Sequence, residues 1–346
     1  MMNVKKRLHH DVFTGKTDYI PLVIKIPTAG SGITYWEAMN DPEKALQMQI
    51  CGYGPQKEIE SDFVPFAESN FLECLIPSLF GATAYEAPGG GIDVKPIFAD
   101  VEELEKLEVP NLMGGMMPQA IEHLTYIKEN APDWLVPQIS RMLSPLDAAV
   151  VMRGGDFYLD MAMEPELAAH FLDVLTETLI GVVKILKGVI GEPLTEQVTV
   201  RGLYFPGIRL TNDAIVNVSP AMIQELYFPC LKRFKEVFGH VMLHYCCTPA
   251  PSGHVLPALL NCDYVDAVDN WQGYKTFFNK EEDMLQDKIA ICTDLPFETL
   301  MNFEEYAEKV PFFSQVRRKG GRGLTISTTA PSEEEARRLW RKWQKV

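Results

Sequence analysis

The sequence predicts an α/β chain folded as a (β/α)8 TIM barrel, one domain over residues 1–346 with a short N-terminal helical extension. Three observations carry this expectation. Short apolar runs alternate with longer amphipathic stretches along the whole chain, as βα units on a parallel sheet require. Eight such runs can be placed, the number that closes a barrel. No glycine-rich first turn follows a strand in the spacing that an open dinucleotide-binding sheet needs: Gly30-Ser31-Gly32 lacks a third glycine, and Gly89-Gly90-Gly91 follows no convincing strand. The phosphate-binding loop pattern is absent as well, so the glycines read as turn formers.

Taken in order, the strands are expected at Tyr19–Ile26, Phe63–Glu68, Trp134–Ser140, Gln197–Phe205, His240–Tyr245, Tyr264–Asp269, Lys288–Cys292 and Gly323–Ser327. Several are rich in β-branched residues and bounded by Gly, Pro, Asn or Asp. Continuous apolarity, as in Val241-Met242-Leu243, suits strands buried on both faces. Between them, Pro165–Ile190 carries Leu167, Phe171, Leu172, Leu175, Leu179 and Val182 at helical spacing. Asp41-Pro42 and Ser219-Pro220 each pair an N-cap with a first-turn proline. Ser332 precedes three glutamates, a cap with an acidic first turn.

Composition bounds the partners. The chain has a formal net charge of -15, which argues against nucleic acid and against an anionic membrane surface. No apolar run approaches a membrane span. Seven cysteines, odd in number and irregularly spaced, read as reduced thiols of a cytoplasmic enzyme.

Barrel enzymes place their chemistry at the C-terminal ends of the strands. The polar residues expected there are Glu68 and Asn70, Gln138, Ser140 and Arg141, Tyr204, His244, Cys246 and Cys247, Asp266, Asp269 and Asn270, Cys292 and Asp294, and Ser327 to Thr329. The sharpest feature is His244-x-Cys246. Residues two apart on a strand face the same side, so an imidazole and a thiolate can reach one ion, and both suit zinc. A catalytic zinc needs about three protein ligands; Cys292 is the thiolate candidate for the third and Asp269 the carboxylate candidate. Cys247 points away if the strand continues.

The stretch Thr211-Asn-Asp213, Val218-Ser-Pro220, Phe228-Pro229, Phe238-Gly239 and Leu243-His-Tyr-Cys246 resembles the uroporphyrinogen decarboxylase-like superfamily, closest to its cobalamin-dependent (corrinoid) methyltransferase branch. Ser144-Pro145, Gly154-x-x-Phe157, Met163-Glu-Pro-Glu166 and the tail Thr328-Thr329-Ala330-Pro331 extend it to roughly Pro21–Gln344. The resemblance implies a barrel in which zinc, held by the His-x-Cys pair and a later cysteine, activates a thiol. His244 and Cys246 fall on the first two positions. The third falls near Ser327–Thr328, where no cysteine stands. The expected function is zinc-assisted movement of a methyl group between a small methylated substrate or thiol and a corrinoid. No Asp-x-His-x-x-Gly corrinoid pattern is present, so the corrinoid is expected on a separate carrier protein. Asp213 is the expected catalytic residue, with Gln138, Tyr204 and Asn270 binding substrate. The loop Pro27 to Gly32 has no arginine, which disfavours the decarboxylase branch, whose substrate carboxylates need cations. A decarboxylase-like carboxy-lyase and a non-catalytic small-molecule-binding barrel stand as alternatives. A homodimer is the family-level expectation.

Overall fold

The computed structural model of the protein describes residues 2–139, 141–246, 253–270, 289–305 and 323–344. Ser140 and Cys247, among the residues singled out in the sequence, lie outside them. The chain opens with the helix Met2–Phe13, and the barrel follows. Its first strand is Leu22–Lys25, its second Phe66–Ala67, and its third comes in two pieces, Val136–Pro137 and Met142–Leu143. The fourth to eighth are Ile208–Thr211, Val241–His244, Ala267–Asn270, Ala290–Asp294 and Leu324–Thr329.

All pairings among these strands are parallel. The first strand pairs with the eighth, and the order runs back through the fifth to the fourth and the upper piece of the third. The lower piece of the third pairs with the second. The first and second are tied by Asp62, whose carboxylate accepts the Leu22 N–H at 2.8 Å and whose own N–H donates to Leu22 O.

Strand alternation sorts the side chains into two layers. Leu22, Ile24, Leu243, Val268, Ile291 and Ile326 pack under the helices. Val23, Met242, Ala267, Ala290 and Cys292 face the barrel axis, where they meet Phe63, Phe66, Val198, Leu203 and Phe205. The same parity points Arg209, His244, Asp269 and Lys25 inward.

One expected strand is corrected. Gln197–Phe205 is not the fourth barrel strand; it is an antiparallel hairpin, Gln197–Val198 against Tyr204–Phe205. The barrel strand is the next segment, Ile208–Thr211. The hairpin closes the N-terminal end of the barrel under the helix Met2–Phe13: Phe13 meets Phe205 edge-on at 5.1 Å, and His9 Nδ1 accepts the Tyr204 N–H at 3.1 Å. Its tip needs Gly202, which has φ +70° and would drive a Cβ to 2.2 Å from the Phe63 ring. The expected helices are present. Pro165–Ile190 is continuous, and Ser219 and Ser332 each cap a helix through the side-chain oxygen. The helix Ser219 opens passes through a π turn at Ile223–Tyr227 before Phe228–Phe238.

Candidate functional site

The site begins where the fourth and fifth strands end. His244 is the last residue of its strand, in register with Thr211 on one side and Asp269 on the other. Asn212 N–H donates to His244 O at 2.7 Å, which ends the fourth strand and throws the chain into a short turn starting at Asp213. That turn is clamped from below. Asp147, in the first turn of the helix Pro145–Arg153, accepts the backbone N–H groups of Asp213 and Ala214 at 3.0 and 2.8 Å. Asp213 Oδ1 in turn accepts the Cys246 N–H at 2.7 Å and lies 3.9 Å from His244 Nε2. One ligand-type atom from each of Asp213, His244 and Cys246 lies within 4.8 Å of the others.

Behind His244 sits a charged scaffold. Its Nδ1 is 3.2 Å from Asp269 Oδ2, close enough for Nδ1–H to donate, which leaves the Nε2 lone pair facing Asp213 and Cys246. Asp269 is fully buried. Arg201 Nε approaches its Oδ1 at 2.6 Å and Arg209 Nε its Oδ2 at 2.8 Å. Burial by itself would raise the Asp269 carboxyl; the charges of Arg201 and Arg209, with His244, overcome this and hold it well below the usual carboxylate range. Arg201 reaches this place from the tip of the hairpin and also pairs with Asp294. A buried charge is tolerated when it is paired and hydrogen-bonded, and these four groups supply each other's partners.

The opposite wall comes from the first three strands. Glu68 is buried and accepts the Arg141 N–H at 3.1 Å, with Arg141 Nε 3.4 Å from its other oxygen. Gln138 Nε2 stands 3.4 Å from Glu68. Burial raises the Glu68 carboxyl, and Arg141 partly offsets that. Lys25, at the end of the first strand, has its ammonium 5.7 Å from the centre of the Phe63 ring.

These placements redraw the expected site. His244 and Cys246 come together as expected, and the third donor beside them is Asp213, not Cys292 or Asp269. Cys292 is buried two strands from His244 with Asp269 between them, in the same register row. Its thiol is pushed up to about 12 by burial and then by the Asp269 charge. Asp269 supports His244 from behind, its two oxygens occupied by the arginines. Gln138 is at the mouth, against Glu68. Tyr204 is at the other end of the barrel, beside His9, so it cannot line the same cavity. Asn270 is buried with the opposite parity to Asp269, which turns it toward the helix layer. Asp266 also lies at the N-terminal end of its strand, accepting from Val241 N–H and Lys235. Sequence reasoning missed Lys25, Arg201 and Arg209 as parts of the interior; strand parity offered a signal for Lys25 and for Arg209 once its strand is placed.

The donor set fits zinc. Imidazole nitrogen, thiolate and carboxylate are three zinc ligand types, and three from the protein leave one position open, the catalytic pattern. An imidazole whose second nitrogen meets a carboxylate is the usual outer support of a zinc-bound histidine. Partial burial and then the Asp213 charge push the Cys246 thiol up to about 12. A divalent cation between these groups would reverse that by attracting the thiolate.

Comparison with known proteins agrees with the barrel. Residues 28–187 match the family model described as uroporphyrinogen decarboxylase (URO-D). No curated protein matches the sequence significantly. Among solved structures, a methyltransferase from Methanosarcina mazei superposes with a TM-score of 0.66 at 14% identity, covering 99% of this chain and 98% of that one. At that identity the likeness is one of fold. The sequence match to the uroporphyrinogen decarboxylase model is confined to residues 28–187, while the likeness in fold extends over nearly the whole chain.

Proposed function

We propose that the protein is a zinc-assisted methyltransferase that moves a methyl group between a small methylated substrate and a corrinoid carried by a separate protein. The observation that carries this reading is the grouping of Asp213, His244 and Cys246 at adjacent strand ends. The fold likeness to a methyltransferase supports it.

His244, Cys246 and Asp213 would hold the metal, with the Nε2 of His244 as its nitrogen donor. Zinc bound there supplies Lewis acidity to the heteroatom that carries the methyl group. When a methyl group departs to an external nucleophile, the bonding electron pair stays on that heteroatom, where negative charge accumulates. The chain's own contribution is placement. Asp147 fixes the Asp213 turn, Asp269 fixes the His244 ring, and Arg201 and Arg209 fix Asp269. Groups held in advance need no reorganisation as charge develops. The mouth would orient the methyl group toward the carrier, and orientation is worth much of the barrier in a two-body reaction.

The test is zinc content of freshly prepared protein beside His244→Ala and Cys246→Ala. Near-stoichiometric zinc, lost in both variants, supports the reading and directs activity assays to methylated substrates with a corrinoid carrier. Chelator-free protein that takes up no zinc overturns it. A decarboxylase-like reading draws on a different observation, the cations Lys25, Arg141, Arg201 and Arg209 inside one barrel. Arg201 and Arg209 are, however, committed to Asp269 and Asp294, which leaves too few for a polycarboxylate. Release of carbon dioxide from a carboxylated substrate by the metal-free protein would favour it.

A further inference from the structure

The buried side-chain amides around the first three strands behave in different ways. Gln49 and Gln56 use both ends. Gln49 Oε1 accepts the Glu68 N–H at 2.7 Å, while its Nε2 donates to Glu68 O and Ala45 O at 2.8 and 3.0 Å. Gln56 brackets Ile26, accepting its N–H at 3.1 Å and donating to its carbonyl at 2.8 Å. Both hold backbone groups that would otherwise be short of partners. Gln138 and Asn70 are more deeply buried and do nothing of the kind. Gln138 Nε2 faces the Glu68 carboxylate at 3.4 Å, which fixes the orientation of the amide and turns Oε1 the other way; that oxygen has no hydrogen bond among the described residues. Asn70 Nδ2 is also buried without a partner, and the Asn70 side chain makes no hydrogen bond among the described residues.

Strand alternation turns both residues toward the barrel axis. On the third strand Val136 packs with the interior cluster and Ile139 under the helices, and the Gln138 N–H continues the ladder to Ala67 O at 2.8 Å, so Gln138 shares the side of Val136. On the second strand Phe66 belongs to the interior, whereas Ala67 and Phe71 pack outward, Phe71 with its ring 5.1 Å from that of His123. Glu68 and Asn70 alternate with them on the inward side. Glu68 is paired on this wall with Arg141, so what the two amides lack is hydrogen bonds, not a counter-charge. A buried polar group without a partner costs stability. A wall of the mouth that keeps an orphaned acceptor and an orphaned donor breaks the rule that Gln49 and Gln56 obey, and such breaks belong to functional positions.

We propose that Gln138 and Asn70 form a neutral hydrogen-bonding subsite, which takes an uncharged hydroxyl or primary carboxamide at the end of a small substrate remote from Asp213, His244 and Cys246. Gln138 Oε1 can only accept, so the ligand must bring an O–H or N–H to it, and Asn70 answers the lone pair of the same ligand group. A carboxylate has no proton to give Gln138 and would stand beside the Glu68 anion. The subsite is argued from the two amides; the methyl group at the other end of the substrate rests on the methyl-transfer reading. The substrate class that follows is a compact neutral methyl ether or thioether that ends in a hydroxyl or a carboxamide.

Ligand-observed NMR titration of the full chain tests this. The probes are ω-methoxy alcohols of increasing chain length, each beside the α,ω-dimethoxy compound in which the O–H is methylated, and ω-methoxy carboxamides, each beside its N,N-dimethyl amide and its carboxylate. At the length that spans the cavity, the alcohol or the primary amide should bind roughly ten- to hundredfold more tightly than its methylated partner, and the series that shows the preference identifies the group. Gln138→Leu, close to glutamine in size, should abolish the preference, whereas simple crowding of the added methyl would persist in that variant. Asn70→Leu should abolish it too and carries the test if Gln138→Leu fails to fold. His244→Ala, which removes a metal donor, should keep the preference, so loss of zinc and loss of the subsite are separable results. The proposal is overturned if neither series binds, if methylated and unmethylated partners bind equally, if the carboxylates bind most tightly, or if the preference survives in the folded variant.

Discussion

Asp269 Oδ2 stands 3.2 Å from His244 Nδ1, while Arg201 and Arg209 grip the same carboxylate from below. One buried group thus sets the orientation of the imidazole and pairs with two arginines, of which Arg201 also meets Asp294. Asp269→Asn separates these duties from metal ligation. It should weaken zinc binding roughly ten- to hundredfold through loss of the imidazole's outer partner. It should also destabilise the fold by about 3–5 kcal/mol, because two guanidinium groups lose their buried anion. Chelator competition reads the first effect and urea unfolding the second. His244→Ala should lose the metal with a much smaller loss of stability, and equal losses in both variants would refute this division of labour.

Asp213 is predicted to act through its charge. In Asp213→Asn the side-chain oxygen can still accept the Cys246 N–H, so the turn should keep its shape. The neutral amide is a poor zinc ligand, and zinc stoichiometry should fall while melting temperature stays within a few degrees. Unchanged zinc content in Asp213→Asn would leave His244 and Cys246 with some other third donor.

Asp147 holds Asp213 through the backbone N–H rather than through the donor oxygen, yet its loss should be felt at the site. Asp147→Ala frees two backbone N–H groups, and each buried unsatisfied donor costs about 1–3 kcal/mol. The Asp213 turn should loosen, which amide hydrogen exchange at Asp213 and Ala214 would register as faster exchange. Protection equal to wild type would show that the turn holds itself.

Acid sensitivity should come partly from the closed end of the barrel. His9 is buried, and burial first, then the charges of Lys5 and His10, lower its pKa to about 3. Its folded pKa lies below the ordinary value, so the unfolded chain binds more protons between about 6.5 and 3. The stability it contributes is present above about pH 6.5 and is lost as pH falls toward 3. His9→Gln, which keeps an acceptor for the Tyr204 N–H, should flatten the slope of melting temperature over that window. An unchanged slope would assign acid sensitivity to other groups.

Much of this was legible in the sequence, for identifiable reasons. Seven barrel strands fall where apolar runs and turn residues place them, and His244 and Cys246 declare themselves by spacing. The fourth strand was hidden because Gln197–Phe205 is the more apolar and β-branched segment, whereas Ile208–Thr211 carries Arg209 inward. An inward arginine looks wrong for a buried strand until Asp269, sixty residues on, is known to meet it. Asp213 was visible as a polar residue after that strand, but its closeness to His244 depends on the parallel pairing of neighbouring strands, which no local pattern encodes. Tyr204 was misplaced with the strand it was thought to end. Lys25 ends the apolar run Leu22-Val23-Ile24, and only strand parity marks it as inward-facing.

The hairpin that plugs the barrel sends Arg201 upward to brace the histidine from its blind side. The parts that tune the site and the parts that meet substrate are therefore carried on separate stretches of chain. Strand ends other than those that carry Asp213 and Cys246 can change their lining without touching the brace of Arg201, Asp269 and His244. Such a division favours diversification: descendants of this barrel can exchange one small molecule for another at the rim and inherit the reactive centre unchanged. An engineer seeking new specificity would edit the rim and leave the plug alone.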